Sequence, residues 1–192
     1  FQLPDPISYL NCAYLSPQLR SVEAVGYTAI SKKNLPFTIQ PTDFFTIGNE
    51  VKTLFAQLIQ TSEPERIAII PSASYGLSNV ANNIPKKAGK KNIIAADQFP
   101  SNTYIWQRVA QNASAELRTV PAPKSESRTE AWNEAILNAI DNHTKAVAIA
   151  NVHWADGTKF DLMAIRKKTK EVGALLILDG TQSVGALPIN VS

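Results

Sequence analysis

From residue 65 onward, short apolar runs alternate with longer stretches of helical periodicity. The runs cover 67–70, 93–96, 117–120, 146–150 and 175–178, and helical segments begin between them at Ser74, Ser101, Thr129 and Asp161. The runs are continuously apolar, as strands are when both faces of a sheet are covered. Strands that alternate with helices pair in parallel through right-handed crossovers. The predicted fold is α/β, a mostly parallel sheet sandwiched by helices. Trp132, Ile136, Leu137 and Ile140 fall on the inner face of the Thr129 helix. In the Asp161 helix Leu162, Ile165 and Val172 point inward and residues 166–170 outward. Upstream, Ser16 reads as an N-cap with Pro17 in the first helical position. Leu19, Val22, Val25 and Ile30 follow at near-helical spacing. A second amphipathic stretch follows Thr42–Asp43, with Ile47, Val51, Leu54, Phe55 and Leu58 on one face. Residues 121–127 are loop-like, and the stretch from Leu187 to Val191 is strand-like.

Composition narrows the class. The 192 residues are 44% hydrophobic and 18% charged, enough for one sizeable core. The net charge of +3 is spread along the chain. The lysine pairs at 32–33, 86–87, 90–91 and 167–168 fall beside helix ends and turns. No basic stripe is interleaved with aromatics, so nucleic-acid binding is not expected. No apolar run reaches the roughly 18 residues of a membrane span, and no membrane partner is expected. Cys12 is the only cysteine, which rules out an intrachain disulfide and suits a reducing, cytoplasmic setting. The first residues lack the basic and apolar regions of a signal peptide. A start without methionine and a stop after a strand-like run read as cuts in a longer protein.

In an open parallel sheet ligands bind beyond the carboxyl ends of the strands, so the residues just past each strand are the candidates. After 67–70 come Ser72, Ala73 and Ser74, small residues leading into a helix. They suit either a phosphate held by free N–H groups or a plain N-cap at Ser74. Asp179 ends the run Leu-Leu-Ile-Leu, read as a buried central strand. A carboxylate there either caps the following turn or meets a cation such as a protonated ring nitrogen. Phe99, before Pro100, suits core packing or a ligand wall. His153 and Trp154 suit packing under a loop, and His143 lies in an exposed turn. No second His or Cys stands at metal-ligand spacing from His153, so no metal site is expected. Dinucleotide, P-loop and serine-hydrolase motifs are absent.

The combination of these loops, in this order, resembles the class V aminotransferase family of pyridoxal-phosphate (PLP) enzymes. That family includes cysteine desulfurases, selenocysteine lyases and kynureninases, of fold type I. The stretch 175–183 (Leu-Leu-Ile-Leu-Asp-Gly-Thr-Gln-Ser) looks like its strand-to-loop Asp-Gly/Ala-x-Gln signature. The stretch 97–102 (Asp-Gln-Phe-Pro-Ser-Asn) resembles its ring-stacking loop, where kynureninases carry Phe-Pro and desulfurases a His. The stretch 9–16 is similar to its opening segment, and 152–158 to the loop before the helix that precedes the aspartate strand.

The resemblance implies PLP as cofactor, with Asp179 pairing the ring nitrogen and Gln182 donating to O3′. It further implies Phe99 stacked on the ring, and Ala73 and Ser74 on the phosphate. Trp154, with His153 as the second candidate, falls where many relatives place an Asn near O3′, and Asn11 and Tyr14 would line the substrate pocket. Residues 1–15 would form an arm reaching the active site and 16–192 part of the large domain, without the small domain. The Schiff-base lysine, the carboxylate-binding Arg and the mobile Cys of desulfurases are expected beyond Ser192. The fragment alone would then be inactive. The implied parent is a homodimeric enzyme acting on a small amino-acid substrate by transamination or Cβ lyase chemistry. A cysteine desulfurase proper and a degenerate binding or regulatory domain are the alternatives.

Overall fold

The computed structural model describes residues 1–12, 14–84 and 89–191, so Lys86, Lys87 and Ser192 lie outside it. The chain divides into two units, Phe1–Ile69 with Ile189–Ser192, and Ile70–Pro188.

The first unit carries two helices, α1 (Arg20–Lys32) and α2 (Asp43–Leu58). α1 starts later than Ser16-Pro17 predicts. Leu19 is extended and makes no side-chain cap, while the Ser16 hydroxyl donates to the Pro17 carbonyl. Four residues before the first residue of α1, Ser16 cannot serve as its N-cap. α2 begins where the sequence places it, after Thr42. No residue of α1 is buried, and in α2 only Ala56 is. Lys32 and Asp43 form an ion pair at 2.8 Å.

The second unit is the predicted α/β sandwich. It contains α3 (Ala73–Asn83), β1 (Lys91–Ala95), α4 (Tyr104–Ala113), β2 (Glu116–Val120), α5 (Arg128–Ala139), β3 (Thr144–Ala150), α6 (Leu162–Glu171) and β4 (Leu175–Asp179). All pairings are parallel and the order is β2-β1-β3-β4. Side chains alternate across the sheet as period-two geometry requires. Ile93, Ala95, Val147 and Ile149 pack on one face with Trp132 and Ile136 of α5 and Ile165 of α6. Ile94, Ala146 and Ala148 pack on the other with Leu77 and Ala81 of α3 and Ile105, Trp106 and Val109 of α4. Both faces of β1 and β3 are thereby covered, which explains their unbroken apolar runs.

Four further predicted details differ. Residues 67–70 form no strand: among the described residues nothing pairs with them, and Ile69 and Ile70 are exposed. A strand needs a hydrogen-bonded neighbour, which apolar composition does not supply. β4 is an edge strand, not a central one, with Leu175 45% exposed. The tail from Leu187 forms no strand among the described residues; an isolated bridge joins Leu187 to Val184, and the Val191 N–H donates to the Ile59 carbonyl. Thr169, placed on the outer face of α6, is fully buried, its hydroxyl donating to the Arg166 carbonyl.

Candidate functional site

β1 leads through α4 to β2 on one side, whereas β3 leads through α6 to β4 on the other. The chain therefore diverges beyond the carboxyl ends of β1 and β3, where a doubly wound sheet leaves a crevice. Asp97, at φ 52°, turns the chain out of the sheet. Gln98 then folds back, buried, and its amide donates to the Ala148 carbonyl at 3.1 Å and accepts the Ala150 N–H at 2.9 Å. One residue of a neighbouring parallel strand makes the same two bonds. Gln98 Oε1 also accepts from Asn102 Nδ2 at 3.3 Å, and Asn102 Oδ1 accepts from Trp106 Nε1 at 2.9 Å. The loop after β1 is thus pinned to β3 and to α4 by buried bonds.

On this frame stand Phe99, 39% exposed, and Trp154, 50% exposed, edge to face with ring centroids 5.6 Å apart. Trp154 Nε1 donates to the Asp97 carbonyl at 2.7 Å, which ties the β3 loop to the β1 loop. His153 lies buried beneath them, its Nε2 3.2 Å from the Ala96 carbonyl. Its Nδ1 lies 3.1 Å from Asp156 Oδ1, within ion-pair distance but not aligned as a hydrogen bond. Asp156 also meets Arg128 at 2.6 Å, and that guanidinium sits 5.3 Å over the Trp132 ring. Burial acts to raise the Asp156 carboxyl, but the Thr158 N–H and hydroxyl, His153 and Arg128 outweigh it and hold it below the ordinary value.

β3 and β4 pair to their ends, so Asp179 emerges beside this loop, with its carbonyl accepting the Asn151 N–H at 3.1 Å. Asp179 Oδ1 accepts the Thr181 N–H at 3.0 Å and the Thr181 hydroxyl at 2.6 Å. Among the described residues Oδ2 has no partner. The side chain thus caps its turn with one oxygen and leaves the other open. The turn is tight, since a Cβ on Gly180 would stand 2.6 Å from Val184 Cγ2. Gln182 is half-buried in it, and Ser183 is buried.

At α3 the cap is Ser72 rather than Ser74: Ser72 Oγ accepts the Tyr75 N–H at 3.2 Å from an extended backbone. A cap must precede the first helical residue, and Ser74 already lies inside the helix. This leaves Ala73 and Ser74 exposed, their N–H groups without an acceptor among the described residues. A cleft of about 370 Å³ joins Ser74 and Ser78 of α3 to Pro100, Ser101, Tyr104 and Arg108, directly after Phe99. Asn11 and Tyr14 are exposed in the first unit, where the Asn11 carbonyl accepts the Tyr14 N–H. Among the described residues no three His, Cys, Asp or Glu side chains gather as a metal site. No helix there is long and apolar enough to cross a membrane.

An open carboxylate oxygen, exposed aromatic edges and unpaired first-turn N–H groups suit a flat ligand with a basic nitrogen and an anionic end. Sequence reasoning missed Gln98 and Asp156 and left the role of His153 open. The one available signal for Gln98 was a polar residue beside a strand end.

The aminotransferase class V family model matches residues 40–192. An uncharacterized aminotransferase of Bacillus subtilis, YcbU, is 31% identical over 71% of this chain and 35% of its own length. A cysteine desulfurase of Escherichia coli O7:K1 is 26% identical over 97% of the chain and 47% of its own. The chain therefore spans less than half the length of these relatives. A solved mutant of C-DES, with glycine covalently linked to its PLP cofactor, superposes with a TM-score of 0.78 at 17% identity. It covers 95% of this chain and 49% of its own, a likeness of fold. The family model runs through the whole sheet and every loop at its carboxyl edge, and the chain belongs to the class V aminotransferase family.

Proposed function

We propose that this chain supplies the cofactor-binding face of a PLP-dependent enzyme acting on an amino acid, by transamination or Cβ lyase chemistry. The observation that carries the reading is the open Oδ2 of Asp179, beside the loop that bears Trp154 and Phe99. When bound, PLP serves as an electron sink for the substrate α-carbon. Asp179 keeps a proton on the ring nitrogen, and Gln182 donates to O3′. Phe99 covers one ring face, an offset aromatic contact worth about 0.5–1.5 kcal/mol beyond its buried area. Trp154 closes the side of the site next to Phe99. Ala73 and Ser74 hold the phosphate with N–H groups and a hydroxyl at the start of α3. In this reading Asn11 and Tyr14, on the arm formed by residues 1–15, serve the substrate. The lysine that carries the cofactor lies outside this chain. The whole protein works as a homodimer in the cytoplasm.

The test is the whole protein with added PLP. A visible cofactor band that borohydride fixes onto a lysine is expected, and a colourless protein that takes up no PLP would sink the reading. Asp179→Ala should abolish turnover, and unchanged activity would remove its assigned role.

One observation favours a second reading: a relative matched over 97% of the chain is a cysteine desulfurase. Phe99 weighs against it, because a phenyl ring cannot move the protons that a His there would. Release of sulfur from cysteine at the expense of other amino acids would decide for the desulfurase.

A further inference from the structure

Resting on that reading, we infer that His153 is a positioning residue that sets the Trp154–Phe99 wall by bracing the β3 loop against the β1 loop. Its ring is 2% exposed, and Nε2 faces the Ala96 carbonyl at 3.2 Å. Nδ1 faces Asp156, which Arg128 holds in turn. Trp132 packs on the ring at 5.1 Å and fixes its plane. The charged groups around it are Asp156 and, through Asp156, Arg128. A carbonyl oxygen can only accept, so Nε2–H is the donor that reaches Ala96.

This bond joins the β3 loop to the residue just after β1, one position before the carbonyl that Trp154 grips. His153 and Trp154 thus make two consecutive anchors on two consecutive carbonyls, one buried and one at the surface. The buried anchor determines whether the exposed indole stays in register, and Phe99 leans on that indole. A side chain that holds its neighbour's geometry from below is what a preorganised ring site requires.

Three indole N–H groups with three different partners provide the test: Trp106 to Asn102, Trp132 to the Val120 carbonyl and Trp154 to the Asp97 carbonyl. In the whole protein without PLP, His153→Phe is expected to speed hydrogen exchange at the Trp154 indole about tenfold, the worth of one buried hydrogen bond. Trp106 should not change. PLP affinity, read from the visible band, should weaken by a similar factor. His153→Gln, which can still donate to the Ala96 carbonyl, should restore most of both. Equal acceleration at Trp106 and Trp154 would mean a general loss of stability and would overturn the inference. Unchanged exchange at Trp154 would also overturn it. If His153→Phe does not fold, His153→Asn, polar but too short for that carbonyl, is read in the same way. A wild-type protein that binds no PLP defeats the functional reading, while the exchange result still decides the brace.

Discussion

Gln98 is the residue whose loss the fold should feel most directly. Replacing it with Leu would leave the Ala148 carbonyl and the Ala150 N–H facing an apolar side chain. A buried polar group without a partner costs about 1–3 kcal/mol. Gln98→Leu should lower the urea midpoint accordingly at an unchanged m-value; an unaltered midpoint would reduce Gln98 to a filler. Asp179→Ala should behave oppositely, because its side chain bonds only to Thr181, an exposed residue. Unfolding should shift by less than about 1 kcal/mol, while the proposed activity disappears. The difference in legibility between the two follows from their partners. Asp179, Phe99 and Trp154 stand just past apolar runs, where elementary α/β geometry points. Gln98 and His153 bond to main-chain atoms 50 to 57 positions away, and no local pattern marks a residue for such partners.

At the scale of elements, the strands of the sheet and the helices that cover it follow the hydrophobic pattern, and the errors fall at their ends. Ser16-Pro17 carries a strong start signal, yet α1 begins at Arg20. Asp161 carries a plainer one and does cap α6, accepting the Ala164 N–H at 3.0 Å. A pair of substitutions separates the two. Asp161→Ala should lower stability by about 1 kcal/mol, the usual worth of an N-cap, whereas Ser16→Ala should leave it unchanged. Equal effects in thermal melts would contradict this assignment of caps. The run 67–70 shows the other limit. Its composition is that of a strand, but pairing is a property of two segments, and among the described residues it has none.

At the scale of the whole sheet, the two ends are held by different chemistry. The amino edge is tied by Lys91 to Asp141 at 2.8 Å and by Lys90 to the Asn142 carbonyl at 2.7 Å. Lys91 donates to the Asp141 carboxyl and, against some burial and with help from the His143 N–H, holds it at about 2, down from 3.8. A depressed carboxyl contributes stability that is complete above its unfolded value and fades as pH falls toward the folded one. The wild-type melting temperature should therefore drop between pH 3.8 and about 2, and Asp141→Asn should flatten that part of the curve. An identical acid profile in the variant would show that the tie carries no weight. The carboxyl edge is shaped by length. β1 stops at Ala95, β3 continues to Ala150, and the space between them is bridged by a side-chain amide where a backbone rung would stand. The recess is therefore a difference in strand length, counted in whole residues. In the register that sets Ile94 beside Ala148, one further residue of β1 would reach the level of Ala150. A site of this kind changes size by insertion or deletion in the loop after β1, while point substitutions on its rim alter only what it holds.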